Sequence, residues 1–390
     1  MRQLPFEYAF RNLGRSPVRL AASLVGAALV VLLVLAAVGF IRGMSLTLDK
    51  PETLHENVIL LGAGSEEAIE RSQIDAGIDT IAAASIPGIK TIDGVAFVSP
   101  EIHVALPLRK SLDSDEELEA VLRGVRDAAY LVHPEVEILE GRRPVPGADE
   151  LLVGSLAATR LGLPDERLAL GNTLAFDGRT WTIVGRFAAP STVMDAEIWV
   201  PLSDLKVATK RESTLSTVIL SLGDASFADV DLFAKSRLDL ELAAVREADY
   251  YAALNTFYQP IKQMVLVTAA LIALGGVLGG LNTMYAAFAA RVREVGMLQS
   301  LGFTRLAILL NLAEESLFTA ACGTILGVVI GLLTLDGIAV RFSMGAFQLQ
   351  LDPPVILAGI AAGLLVGVVG VIPPGIRCLR LPITQALKSF

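Results

Sequence analysis

The sequence predicts an α-helical membrane protein with four transmembrane helices and a large extracytoplasmic α+β domain inserted between helices 1 and 2. Three observations carry this. The 390 residues are 53% hydrophobic, with a mean hydropathy of +0.59, too apolar for an ordinary soluble chain and far from a disordered one. Four runs contain no Asp, Glu, Lys or Arg: Leu20–Ile41, Gln263–Ala290, Ser316–Leu335 and Pro353–Ile376. At ~1.5 Å per residue each is long enough to cross a hydrocarbon core of ~30 Å. Between the first two lies a polar insert, residues 43–262, large enough for one or two folded domains.

Charge sets the orientation. Arg2, Arg11, Arg15 and Arg19 against Glu7 precede the first run; Arg291, Arg293 and Arg305 lie between the second and third; Arg377, Arg380 and Lys388 follow the fourth. These short basic flanks face the cytoplasm, which places both termini there and the insert outside, as in a multi-pass membrane protein. The insert holds 20 Lys and Arg against 35 Asp and Glu, a net of −15 within a chain total of −9. That acidity argues against docking on nucleic acid or anionic lipid. The two cysteines, Cys322 and Cys378, lie outside the insert, so it forms no disulfide of its own and the redox compartment is not legible.

Taken in order, residues 1–19 read as a cytoplasmic interfacial helix. Phe6, Ala9, Phe10 and Leu13 share one face, and Arg11 and Arg15 lie elsewhere, near lipid phosphates. Helix 1 spans 20–42; its 22-residue apolar run exceeds the ~7–15 of a cleavable signal core, so it reads as an uncleaved span. The insert opens with a strand at Asn57–Leu61, then a helix over Glu66–Ser85 ending near Pro87-Gly88. Val95–Leu108 suggests two short strands broken at Pro100. Further strands follow at Val136–Leu139, Leu151–Val153, Thr173–Phe176, Thr180–Phe187 and Ser216–Leu222, with Asp177-Gly178 as a hairpin turn. Phe227–Leu254 reads as a helix leading to helix 2 at 263–290. A cytoplasmic segment, 291–305, joins it to helix 3 at 306–335; a short outer loop, 336–352, leads to helix 4 at 353–376, and 377–390 form a cytoplasmic tail.

The segment between helices 2 and 3 is a charged handle held by two apolar runs. Val292, Val295, Leu298 and Leu301 recur at roughly helical spacing, with Arg291, Glu294, Gln299, Thr304 and Arg305 at the other positions. Gly302 offers a helix stop, and Phe303 after it is expected to be exposed. By composition alone this is an amphipathic connector lying on lipid.

The wording adds more. Arg293-Glu294-Val295-Gly296-Met297-Leu298-Gln299-Ser300-Leu301-Gly302 closely resembles the R-E-I-G-x-L-R-A-L-G coupling segment of FtsX-like, MacB-type ABC transporter permeases. Gln299 stands where that family usually has Arg or Lys, and Ser300 where it usually has Ala. Arg11-Asn12-Leu13, Gly141-Arg142, Leu152-Val153-Gly154, Gly171-Asn172, Ile183-Val184-Gly185, Trp199-Val200-Pro201-Leu202 and the tail Arg380–Leu387 are similar to other phrases of the family. The resemblance implies an insert with an α/β lobe and a β-rich lobe, the latter at about 115–210. It also implies that Arg291, Arg293, Glu294, Val295, Met297, Leu298, Gln299, Leu301, Gly302 and Phe303 couple to a cytoplasmic ABC ATPase. Glu315-Ser316 followed by Gly323 and Gly327 matches the family's third helix. Glu315 is therefore a candidate in coupling or gating, although Ser316–Leu335 already fills the hydrocarbon core and leaves it at the cytoplasmic boundary.

Glycine faces mark the spans: Gly275, Gly276, Gly279 and Gly280 in the second, Gly323, Gly327 and Gly331 in the third, Gly359, Gly363 and Gly367 in the fourth. They suit close helix packing, within one chain or between two.

Several chemistries are unsupported. There is no G-x-x-x-x-G-K-[ST] and no Gly-Lys pair, hence no phosphate cradle of that type, and ATP with Mg is expected in a partner ATPase. His55, His103 and His133 share no metal-ligand spacing, and no G-x-S-x-G occurs. The chain reads as no enzyme.

Two functions stay open. One is the permease subunit of an ABC exporter or extractor, moving a drug, peptide, lipid or lipoprotein outward from the outer face of the inner membrane. Its expected partners are ATPase subunits and a second permease copy or paralogue, with a periplasmic adaptor protein and an outer-membrane channel as further candidates. The other is a non-transporting transmembrane signalling module of the FtsX kind, regulating a partner such as a cell-wall hydrolase.

Overall fold

The computed structural model describes residues 17–48, 57–289, 291–342 and 345–379. The interfacial helix expected before Pro17, His55, and the phrases Arg11–Leu13 and Arg380–Leu387 lie outside the described residues. The chain divides into two compact units. Of the described residues, one unit holds those up to Arg42, within Pro260–Ile338 and from Leu349 onward, and the other those within Gly43–Gln259 and Ala339–Gln348.

The first unit is built from four helices long and apolar enough to cross a membrane. They are α1 (Pro17–Leu48), α8 (Gln259–Ala289), α10 (Arg305–Thr334) and α11 (Pro353–Leu379), with the short α9 (Val292–Ser300) between the second and third. Each exceeds its uncharged run, because helical hydrogen bonding continues into the flanking residues at one end or both: α1 is one uninterrupted helix of 32 residues whose final turns belong to the second unit. Glycine decides which helices touch. A Cβ at Gly327 would meet the Ala28 carbonyl oxygen at 2.8 Å and Val31 Cβ at 2.9 Å; one at Gly323 would meet Ala27 Cβ at 2.7 Å, and one at Gly359 would meet Leu35 Cδ2 at 2.7 Å. Gly331 sits as tightly on Leu35, and Gly363 and Gly367 leave room for Thr324 and Ala320 of α10. The third and fourth spans thus press their glycine faces on α1 and on each other. In α8 only Gly276, against Val30, is as tight; Gly280 meets Val366 at an ordinary 3.4 Å, and Gly275 and Gly279 have nothing within 4 Å.

The second unit is organised by one ten-stranded sheet. In chain order its elements are β1 (Asn57–Gly62), β2 (Ile74–Asp75), α2 (Ile78–Ser85), β3 (Thr91–Ile92), β4 (Val95–Ala96), β5 (Val98–Arg109), β6 (Glu117–Val125), α3 (Ala129–Val132), β7 (Glu137–Gly141), β8 (Glu150–Gly154) and α4 (Ala157–Leu161). There follow β9 (Thr173–Phe176), β10 (Arg179–Ala188), β11 (Ile198–Pro201), α5 (Leu202–Ala208), β12 (Thr214–Leu215), β13 (Thr217–Ser221), α6 (Phe227–Ser236), β14 (Leu242–Arg246) and α7 (Glu247–Phe257). The hairpin β15 (Ala339–Phe342) and β16 (Gly345–Gln348) completes the unit. The strand order is β14-β1-β13-β5-β6-β11-β8-β10-β7, with β9 beside β10 and β5.

Several expectations change. Pro100 does not break the strand: β5 runs on through it, Pro100 opposite Val218. The first residues of β5 pair with β13 and the rest with β6, so the two expected lobes share this strand and form one sheet. The single helix expected over Glu66–Ser85 is a 3-10 turn, a short strand and then α2, divided at Gly77, whose φ of 106° is not helical. The helix expected over Phe227–Leu254 is interrupted by β14, because Glu241 turns into the left-handed region at φ 49° and Leu242–Arg246 pairs as an edge strand on β1. Residues 336–352 hold the β15–β16 hairpin; Ala346 packs on Leu156 and Ala196, and Ala339 lies against this group. The Asp177-Gly178 turn forms between β9 and β10 with φ 50° and 67°, the conformation an Asp-Gly hairpin requires.

Replacing Gly327 by Val should cost the helix bundle about 1–3 kcal/mol by overpacking, read as a lower unfolding temperature of the full chain in detergent. Gly279→Val, facing open space, should leave that temperature unchanged.

Candidate functional site

The handle is built by its own sequence. Val292–Ser300 forms α9, and Gly302 and Phe303 close it as a Schellman motif: Phe303 N donates to the Leu298 carbonyl at 3.2 Å and Gly302 N to that of Gln299 at 3.1 Å, with Gly302 at φ 89°. This motif brings the residue after the glycine back over the last helical turn. Phe303 is therefore half-buried rather than exposed, packed with Leu298 and Val292 around Val295, Ile308, Leu312 and Val371. Thr304 then starts α10, its hydroxyl accepting from Ala307 N at 3.2 Å.

Two faces result. Val295 and Gly296 are buried, with Val292, Leu298, Gln299 and Glu294 half-buried, against α10 and α11. Arg293, Met297, Ser300 and Leu301 point outward, Met297 46% and Leu301 65% exposed, and Leu306 at 58% extends the patch. Leu301, expected on the inner stripe, is thus on the outer face, since Gly302 ends the helix just beyond it. Arg291 is turned inward: Nη1 donates to Glu315 Oε2 at 2.7 Å and Nη2 to Oε1 at 3.1 Å, with both side chains 11% exposed. This two-point pair holds the start of the handle to α10. Sequence reasoning named both residues without pairing them, because 24 positions separate them.

A second constellation was missed. At the centre of the sheet Arg123 donates to Glu197 from Nε at 2.7 Å and from Nη2 at 2.8 Å, and to Glu101 from Nη1 at 2.7 Å. Glu101 also accepts from Ser99 at 2.8 Å, and His133 Nε2 and His103 Nε2 lie 3.0 and 3.2 Å from its two oxygens. Trp199 Nε1 donates to Glu197 at 3.0 Å. Glu101 is wholly buried and Arg123, His103 and His133 nearly so. Burial by itself would raise both carboxyls. In Glu101 the Arg123 charge, the His133 charge and the imidazole hydrogen bonds outweigh it and hold the group well below the ordinary carboxylate range; in Glu197 Arg123, with help from Trp199, lowers the group below its ordinary value. The available signal was the position of Arg123 and Glu197 within apolar strand runs, which a solvated charge would not occupy. His103 and His133, 30 positions apart, both join this network through Glu101.

A model of the FtsX-like permease C-terminal region matches residues 266–383, and one of the MacB-like periplasmic core domain matches residues 20–233. The uncharacterized ABC transporter permease YknZ of Bacillus subtilis is 23% identical over 83% of this chain and 83% of its own. The macrolide export ATP-binding/permease protein MacB of Nitrobacter winogradskyi is 21% identical over 97% of this chain, which spans 59% of that protein's length. Among solved structures, the periplasmic region of MacB from Actinobacillus actinomycetemcomitans aligns with 51% of this chain and 92% of its own, at 11% identity and a TM-score of 0.38.

Arg123→Met leaves two buried carboxylates without a countercharge and should cost the inserted domain about 3–5 kcal/mol at neutral pH. Both tryptophans, Trp181 and Trp199, lie in this domain, so urea unfolding followed by their fluorescence reads it directly. Because the folded-state pKa values are depressed, the wild-type network stabilises above the unfolded carboxyl value of about 4.3 and loses that contribution as pH falls through the folded values. The variant's deficit should therefore shrink on acidification.

Proposed function

The chain belongs to the MacB- and FtsX-like ABC transporter permeases, and from that premise we propose that it is the membrane subunit through which a separate cytoplasmic ATPase moves an extracytoplasmic domain. The observation that carries this reading is the two-faced handle. Its inner face is packed on α10 and α11 and tied by Arg291 to Glu315, while Met297 and Leu301, with Arg293 beside them, are left uncovered. Large apolar side chains on a rigid, cytoplasm-facing helix suit insertion into a groove of a partner. A push on that helix is passed to the third span through the ion pair and the Val295 contacts instead of being lost in a loose loop.

ATP and Mg belong to the partner in this reading, and two permease chains pair so that two ATPases act together. Transport is favoured over signalling by the name of a relative: MacB of Nitrobacter winogradskyi is a macrolide export protein. The work done is outward transfer of a molecule already outside the membrane or in its outer leaflet.

Met297→Asp and Leu301→Asp should each weaken ATPase binding by about 2 kcal/mol, roughly thirtyfold, with insertion and helix packing intact. Co-purification and ATPase stimulation measure this; wild-type values in both variants would remove the handle from the mechanism. Leu298→Asp would be a poorer test, because that side chain also packs against the spans.

Glu315→Gln should leave ATPase binding in place but lower its stimulation by the permease. The exchange Arg291→Glu with Glu315→Arg should recover part of it, a pairwise effect that independent damage would not produce.

A further inference from the structure

The inserted domain contains a cavity of about 220 Å³, and its lining comes from unusual places in the chain. Tyr250, Tyr251 and Tyr258 belong to α7 and the residue after it, immediately before α8; Phe342 and Phe347 belong to the β15–β16 hairpin between α10 and α11; Met44 and Leu48 end α1. Segments continuous with all four spans therefore meet around one space. The rings form an extended aromatic wall: Tyr258 meets Phe342 edge-on with centroids 5.4 Å apart, Phe342 meets Phe347 at 6.3 Å, and Tyr250 meets Tyr251 at 5.4 Å.

The charge of the lining is negative on balance, with Glu67, Glu70 and Glu197 against Arg123. Arg123 reaches the floor, but its donors are taken by Glu197 and Glu101, two carboxylates for one guanidinium. Glu67, exposed, and Glu70, half-buried, add two more carboxylates, and among the described residues neither has a cation within ion-pairing distance. Aromatic faces attract cations through their quadrupoles, and an unpaired carboxylate in a half-enclosed site attracts them more strongly than in open water. An anion would face both groups of carboxylates.

We propose that this cavity is a binding site for an organic cation with an apolar body, an ammonium-type centre held by Glu67 and Glu70 and the apolar part lying on the tyrosine and phenylalanine rings. Its volume is below the roughly 300–1,000 Å³ of drug-sized pockets, so it takes a small molecule or the end of a longer one. A ligand seated there touches segments leading directly into every span. The site stands independently of ATPase coupling, since it is defined by residues of the second unit alone.

The test uses the full chain in maltoside micelles, which carry no charge, with calorimetric titration against empty micelles and no ATPase present. Benzyltrimethylammonium should bind once per chain, at least about tenfold more tightly than benzylsulfonate, which has the same ring and the opposite charge. Glu67→Gln with Glu70→Gln should weaken the cation about tenfold and erase the preference, and Tyr258→Leu should weaken it with Tyr258→Phe restoring it. Sulfonate binding as tight as that of the cation, or unchanged cation binding in the double glutamine variant, would overturn the proposal. Phosphatidylethanolamine added to the micelles identifies the source of the ammonium: competition marks a lipid headgroup, and its absence a free solute. Failure here would leave the handle experiments untouched, and failure there would leave this binding measurement untouched.

Discussion

The close approach of the glycine faces of α10 and α11 to α1 is the constraint on which the membrane unit depends. In lipid, helices gain little from hydrophobic burial, so their association rests on van der Waals contact, and contact at backbone distance needs positions without a side chain. Gly323 and Gly327 put the backbone of α10 on Leu24, Ala27 and Ala28, while Gly359 places α11 on Leu35. Ser316 adds a hydrogen bond to the Gly367 carbonyl at 2.9 Å, a polar link between the two helices where water does not compete. A bundle fixed in this way gives the handle a firm base.

The handle itself shows local sequence and tertiary packing agreeing. Leu-Gly-Phe-Thr at 301–304 ends one helix, returns the chain and starts the next within four residues. The glycine supplies the left-handed residue, the phenylalanine the apolar contact of the Schellman motif, and the threonine the cap. Arg291 and Glu315 then fix the other end. Two charges at 11% exposure are costly to bury singly, and each removes most of that cost for the other by a two-point hydrogen-bonded pair.

In the inserted domain the same logic is applied to a larger group. β5 joins the two halves of the sheet, and Glu101 within it faces Arg123 of β6, His133 of the turn of helix at α3 and, through Arg123, Glu197 beside β11. The network links strands far apart in sequence, so the registers of β5, β6 and β11 are mutually dependent. A slip by one residue would move every member of the set to the opposite face and leave its charges unpaired. The cavity lies directly against this network, which gives its floor a fixed geometry.

The sequence by itself determined the four spans, the inserted domain, the Asp177-Gly178 hairpin, the glycine faces and the handle with its stop at Gly302. Each depends on hydropathy, charge or turn chemistry over a few consecutive residues, where local physics dominates. Tertiary structure decided what depends on distant partners. Pro100 remains within β5 because β13 and β6 hold the strand on either side, and Leu242–Arg246 becomes β14 because β1 offers an open edge. Arg123, Glu101, Glu197 and the two histidines form one network although they come from separate segments, as do Arg291 and Glu315. The cavity needed α1, α7 and the β15–β16 hairpin brought together, and no local pattern encodes such a meeting. Pairing, enclosure and burial of charge are properties of the whole fold, since their free energy exists only once all the partners are in place.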